Sequence, residues 1–158
     1  MIIDAHAHID ESKVRGWVDP AERVIKFMDM ANIDIAVVST YRNAPTPEDE
    51  SPLEYLIQET NKFPDRLIPF VRLNPRYGEA TMRTLVHAVE NMGYKGVKLH
   101  PASYNLYPGG QATVDLFRKA AEYDIPVLVH CADEVMCLPL QFAETLEQSP
   151  DTKVILAH

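Results

Sequence analysis

The feature that most constrains this chain is an alternation of short apolar runs with longer stretches of helical spacing. The apolar runs are "MIIDAH" at the start, "DIAVVST" (34–40), "LIPFVRL" (67–73), "GVKLH" (96–100), "PVLVH" (126–130) and "VILAH" (154–158). Each is strand-length and bounded by turn formers, which predicts six β-strands. Between them lie "PAERVIKFMDMA", opening on Pro20, and "SPLEYLIQETNKF", with Ser51 as N-cap, Pro52 behind it and Glu54 at the capping-box position. Then come "EATMRTLVHAVENMG", closed by Gly93, "ATVDLFRKAAEY" and "LPLQFAETLEQS", all predicted helices. A crossover of a dozen residues returns the chain in the same direction, so strands joined through helices form a parallel sheet.

Two parallel architectures compete for such an α/β sequence, a doubly wound open sheet and a (β/α)8 barrel of the TIM type. No G-x-G-x-x-G follows the first strand, which removes the main support for a nucleotide-binding open sheet. The barrel is favoured by where the polar residues fall, as shown below. A complete barrel takes ~250 residues and rarely fewer than ~200. With 158 residues, the chain reads as one domain holding about six of eight strand-helix units, roughly the first three quarters of a barrel. The longest linker, "YRNAPTPEDESP", follows the second strand and is rich in proline and acid.

Composition narrows the partners. A net charge of -8 with scattered basic residues argues against a nucleic-acid surface. No stretch approaches the ~20 apolar residues of a membrane span, and the first residues lack a basic, then apolar, leader. Cys131 and Cys137 form no metal-knuckle or disulfide pattern, so a reducing compartment such as the cytoplasm is expected. A small-molecule substrate is the partner that remains, and nothing opposes assembly as a homo-oligomer.

Of the six histidines, five end predicted strands: His6 and His8, His100, His130 and His158. In a parallel barrel all such ends share one face, where catalytic groups gather. Residues two apart on a strand face the same side, which groups Asp4 with His6 and His8, Lys98 with His100, Leu128 with His130, and Leu156 with His158. The intervening Val97, Leu99, Val127 and Val129 are aliphatic, as expected beneath helices, so the histidines are read as facing the interior. Buried imidazoles need donors or a cation, and neutral imidazole is a common ligand for zinc. His6, His8 and His130 would supply three ligands, Asp4 or Asp10 would orient an imidazole from behind, and His158 or His100 would be left for proton transfer. His87 reads as a helix-surface residue, and Cys131 as a small buried apolar group. An inward Lys98 is read either as partner of a substrate carboxylate or, carbamylated, as a bridge between two metals.

The stretches "IIDAHAHI", "YKGVKLHP", "IPVLVHCAD" and "KVILAH" resemble the amidohydrolase superfamily of metal-dependent barrel enzymes, most closely the branch that contains aminocarboxymuconate-semialdehyde decarboxylase. The resemblance implies that His6, His8 and His130 hold one divalent metal, zinc in the first instance. It implies that His158 handles the proton of the metal-bound water, and that Lys98 and His100 contact substrate. A second metal bridged by a carbamylated Lys98 is the weaker alternative. The family's remaining ligand is an aspartate ending an eighth strand, which this chain does not contain. TatD-like nucleases share the opening motif but carry a glutamate-bearing fourth strand, where this chain has "GVKLHP".

The leading expectation is hydrolysis of a C–N or C–O bond by metal-activated water. Non-oxidative decarboxylation with the same ligands is the alternative. A third reading is a non-catalytic fragment, or a subunit completed from elsewhere. The loop "ASYNLYPGG" is expected to act as a lid or specificity loop.

Overall fold

Each predicted apolar run becomes one strand of a single sheet in the computed structural model, which describes residues 1–12, 17–41 and 44–158. The strands are β1 (Ile3–His8), β4 (Ile35–Ser39), β5 (Leu67–Arg72), β6 (Gly96–Leu99), β7 (Val127–His130) and β8 (Val154–Ala157). They lie in the order β1-β4-β5-β6-β7-β8, every neighbouring pair parallel. A doubly wound sheet reverses direction at its middle; this order does not, so the sheet is part of a barrel. A short antiparallel hairpin, β2 (Asp10–Ser12) with β3 (Trp17–Asp19), follows β1 and has no counterpart in the predicted elements.

The helices are α1 (Ala21–Ala31), α2 (Ser51–Thr60), α3 (Glu79–His87), α4 (Gln111–Glu122) and α5 (Ala143–Gln148). Helix α1 buries Ala21, Ile25 and Met28, one stripe at helical spacing. Its first N–H, on Ala21, donates to the buried Glu59 carboxylate at 2.7 Å, so α2 caps α1. Ser51 is the first residue of α2 and not its cap. Its N–H donates to Asp49 Oδ1 at 2.9 Å, so the acidic linker supplies the capping oxygen. Residues 42–43 of that linker lie outside the described residues. Helix α3 runs into a π turn (Ala88–Met92) and stops at Gly93, whose φ of 89° accommodates the left-handed cap.

Two apolar layers result. The larger lies between sheet and helices and includes Ala36, Val38, Val71, Val97, Leu99, Val127 and Val129, with Leu53, Leu85 and Phe117 from the helices. The smaller fills the inner face of the sheet with Val37, Phe70, Leu128 and Ala157, backed by Ile68 and Ile155. This inner layer is the floor on which the polar rim stands. Gly96 pairs with Phe70 across β5 and β6, and a Cβ there would lie within 2.6 Å of the Phe70 ring. Gly96→Ala is therefore expected to destabilise the fold by about 1–3 kcal/mol. Phe70→Leu should recover part of that loss in the double variant, a coupling that urea unfolding of the four proteins would reveal; strict additivity would show that Gly96 is not required by this contact.

Strand alternation holds for most of the sheet and fails at two places that matter. In β1 the partners run Asp4 with Ala36 but Ala7 with Val38, so β1 carries one extra residue, a bulge. Asp4 thus pairs with a residue of the helix-side layer and is out of step with His6 and His8. In β8 the inward residues are Ile155 and Ala157, while Val154 joins the helix-side layer and Leu156 is exposed. Regular alternation would send His158 outward. Its φ is 77°, and its ring lies at the rim against those of His6 and His130.

Candidate functional site

Strand ends deliver every titratable group of the rim. His6 and His8 come from β1, Arg72 from the end of β5, Lys98 from β6, and His130 from the end of β7. His100 and His158 directly follow β6 and β8. The imidazoles form a chain of ring contacts: His8 to His6 at 4.7 Å between centroids, His6 to His158 at 4.9 Å, His158 to His130 at 5.0 Å, and His130 stacked on His100 at 3.9 Å. Contact between His6 and His158 joins the tips of the first and last strands, so the sheet curls towards itself at this rim. His87 stands apart, exposed at the end of α3.

Burial sets the charge state. His6 falls to a pKa of about 3, chiefly by burial and then by the nearby Lys98 ammonium and neighbouring imidazoles. His8 falls to about 4, again by burial, with the Ser39 carbonyl opposing the shift. Burial, His130 and Arg72 take His100 to about 3, and His130 is also lowered, mainly by burial. These rings are neutral near pH 7 and offer lone pairs. His8 Nδ1 faces the Ser39 carbonyl at 3.2 Å, a contact that requires Nδ1–H and leaves Nε2 as the basic nitrogen.

Lys98 is buried, only 1 % exposed, with Nζ 2.9 Å from His6 Nε2. Burial, then the Arg72 charge, lowers its pKa to about 7. Arg72, equally hidden, donates from Nε to Tyr104 Oη at 2.8 Å, from Nη2 to Ser103 Oγ at 3.1 Å and from Nη1 to the Tyr41 carbonyl. Two basic side chains are thus sunk beside the histidines of a chain that carries a net -8. Sequence reasoning passed over Arg72, although alternation in "LIPFVRL" places it on the same side as Phe70. The loop expected to be a lid is instead pinned: Ser103 and Tyr104 accept from Arg72, Leu106 is buried, and Thr145 Oγ1 donates to the Pro108 carbonyl at 2.6 Å. Cys131 is buried, as read from the sequence. Asp10 is buried beneath the rim and accepts from the Tyr41 N–H at 2.8 Å.

The donor set on β1 suits a divalent cation in chemistry. His6 Nε2 already faces a buried amine, and His8 Nε2 is left basic by the Ser39 contact. Among the described residues, however, the group of donors drawn close enough to share one ion is another one: His100, His130, Glu134 and Cys137, whose ligand atoms lie within 4.8 Å of one another. Glu134 and Cys137 were not anticipated as ligands; their spacing from His130, four and seven residues along a turn, was the available signal.

A family model described as an amidohydrolase, Amidohydro_2, matches residues 3–158. The chain belongs to this amidohydrolase family. No curated protein gives a significant match. Among solved structures, 2,6-dihydroxybenzoate decarboxylase from Rhizobium is similar with a TM-score of 0.71 and 17% identity, covering 98% of this chain and 65% of that one. A 5-carboxyvanillate decarboxylase from Novosphingobium aromaticivorans, complexed with manganese and 4-hydroxy-3-methoxy-5-nitrobenzoic acid, gives 0.77 and 17%, covering 100% and 65%. A dihydroxybenzoic acid decarboxylase from Polaromonas, with bound manganese and 2-nitroresorcinol, gives 0.67 and 18%, covering 99% and 65%. At these identities the likeness is one of fold, and the amidohydrolase chain spans about two thirds of the length of each. Among the described residues, no helix is long and apolar enough to cross a membrane.

Proposed function

We propose that the chain acts in metal-dependent, non-oxidative decarboxylation of a small aromatic acid. The observation that carries this reading is the buried amine of Lys98 beside neutral histidines, with the Arg72 charge behind it. Hydrolysis of a neutral amide or ester has no need of it, whereas an acid substrate brings a charge for the amine to meet. The decarboxylases of similar fold, with aromatic ligands in two of the structures, support the same choice over hydrolysis.

His6, His8 and His130 would hold one divalent ion. When bound, such an ion supplies positive charge that orients the substrate's oxygens and offsets charge that develops on them. Manganese, the ion of the similar structures, and zinc are both compatible with imidazole ligands. Lys98 serves better as a substrate partner than as a carbamylated bridge, since its amine is hydrogen-bonded to His6. Lys98 and His100 would flank the substrate, and Arg72 holds the rim's loops in place from behind.

His158, whose ring lies against both His6 and His130, is the assigned proton donor. It delivers a proton to the ring carbon that bears the carboxylate. The bond from that carbon to the carboxylate then breaks, its electron pair returns to the ring, carbon dioxide leaves, and His158 regains a proton from water. The test is incubation of the manganese-loaded chain with 2,6-dihydroxybenzoate and 5-carboxyvanillate in deuterium oxide, followed by NMR. One deuterium at the vacated ring position is expected. Metal-loaded chain that leaves both acids intact but cleaves an ester or amide would replace this reading with the hydrolytic one.

A further inference from the structure

The geometry points to a zinc-selective site built from His100, His130, Glu134 and Cys137, which shares His130 with the set of His6, His8 and His130 and is therefore an alternative to an ion there, not an addition to it. One ligand atom from each residue lies within 4.8 Å of all the others. In tetrahedral zinc with bonds of ~2.0–2.3 Å, ligand atoms are ~3.3–3.8 Å apart, so the set closes by movements of about 1 Å. Glu134 provides that freedom: its carboxylate is half exposed and stands 3.8 Å from His130 Nε2.

The turn after β7 is shaped to present these donors. The Ala132 N–H donates to the Cys137 carbonyl at 3.1 Å and the Cys137 N–H to the Glu134 carbonyl at 3.0 Å. Met136 adopts φ 72°, the left-handed conformation that a side chain takes only under constraint. The result folds Cys137 back, fully buried, beside two stacked imidazoles. An independent observation agrees: His100 Nδ1 is buried and makes no hydrogen bond, the condition that a cation sharing this pocket of donors relieves by fixing the ring's protonation.

Chemistry selects the ion. A thiolate favours zinc over manganese, magnesium or calcium, so this site is distinct in preference from a rim site of imidazoles. Burial raises the Cys137 thiol above its ordinary value. Binding therefore expels the thiol proton to solvent, one proton per zinc from this group, and binding strengthens as pH rises. The inference stands if the decarboxylase reading fails, but zinc bound here takes His130 and His100 from the sets that reading uses, so the two sites exclude one another.

Cobalt(II) titration of the 158-residue chain tests it, because only sulfur ligation gives a thiolate-to-cobalt charge-transfer band in the near ultraviolet. The wild-type chain is expected to show this band and to lose it on addition of zinc. Cys137→Ser should abolish the band, whereas Cys131→Ser and the double variant His6→Ala/His8→Ala should retain it. Glu134→Gln changes an exposed carboxylate without disturbing packing, and should weaken zinc binding beyond the ~10–100-fold that loss of an outer partner costs. Absence of the band in wild-type protein, its loss in Cys131→Ser, or its loss with His6 and His8 would each overturn the site. So would a folded Glu134→Gln chain with unchanged zinc affinity.

Discussion

His8→Ala is expected to abolish manganese binding by the chain, while His158→Ala is expected to keep manganese and lose turnover. Of the three proposed ligands His8 has the best-defined lone pair, since the Ser39 carbonyl 3.2 Å from Nδ1 assigns the proton to that nitrogen. Removing it takes a ligand from a set of three, and the affinity loss should exceed ~100-fold, the upper range for loss of a mere outer partner. His158 is in ring contact with His6 and His130 and is open to solvent, which suits a group that must gain and release a proton. Its loss should slow decarboxylation by about 10²–10⁴-fold. The signal of free manganese in electron paramagnetic resonance measures binding without reference to activity, and without interference from a thiolate site that disfavours manganese. Equal loss of manganese in both variants would make His158 a ligand and remove its role in proton transfer. Far-ultraviolet circular dichroism of each variant separates these outcomes from unfolding.

The parallel sheet and the gathering of histidines at one rim were legible because both rest on periodicity. Valines at 97, 127 and 129 alternate with Lys98, Leu128 and His130, and that period of two survives intact in β6 and β7. Legibility ended where the backbone departs from the period. The bulge between Asp4 and Ala7 has no signature in "IIDAHAH", since it depends on the register with β4. Likewise strict alternation would have sent His158 outward, whereas its positive φ accompanies a ring placed against His6 and His130. The β2–β3 hairpin was missed because its strands are three residues each, too short to carry a pattern. Arg72 was missed for a different reason: at a strand end an arginine reads as a solvent-facing residue, and only the arrival of Tyr41, Ser103 and Tyr104 from two loops makes burial tolerable. Glu134 and Cys137 depended on a turn whose shape no local propensity specified.

Lys98→Met is expected to raise the stability of the chain and to remove its activity, two effects of opposite sign from one side chain. An amine that is 1 % exposed, with the neutral His6 ring as its hydrogen-bond partner and the Arg72 charge nearby, opposes folding whenever the unfolded chain would carry it protonated. Methionine has similar volume and no charge to desolvate. The gain should be about 1–4 kcal/mol near neutral pH, by analogy with apolar replacement of buried ions. For a chain of this size each kcal/mol corresponds to about 2–4 °C in Tm. The sign with pH follows from linkage. The folded-state pKa is lowered from 10.5 to about 7, so between those values the unfolded chain binds the extra proton and the stability of the wild-type chain rises with pH. The advantage of methionine is therefore largest below pH 7 and shrinks as pH approaches 10.5. Thermal melts of both proteins across that window measure it, and a gap that stays constant with pH would show that Lys98 is not held in a lowered state. If Lys98→Met were instead to unfold the chain, the amine would be a structural partner of His6, and the case for an acid substrate would lose its main support.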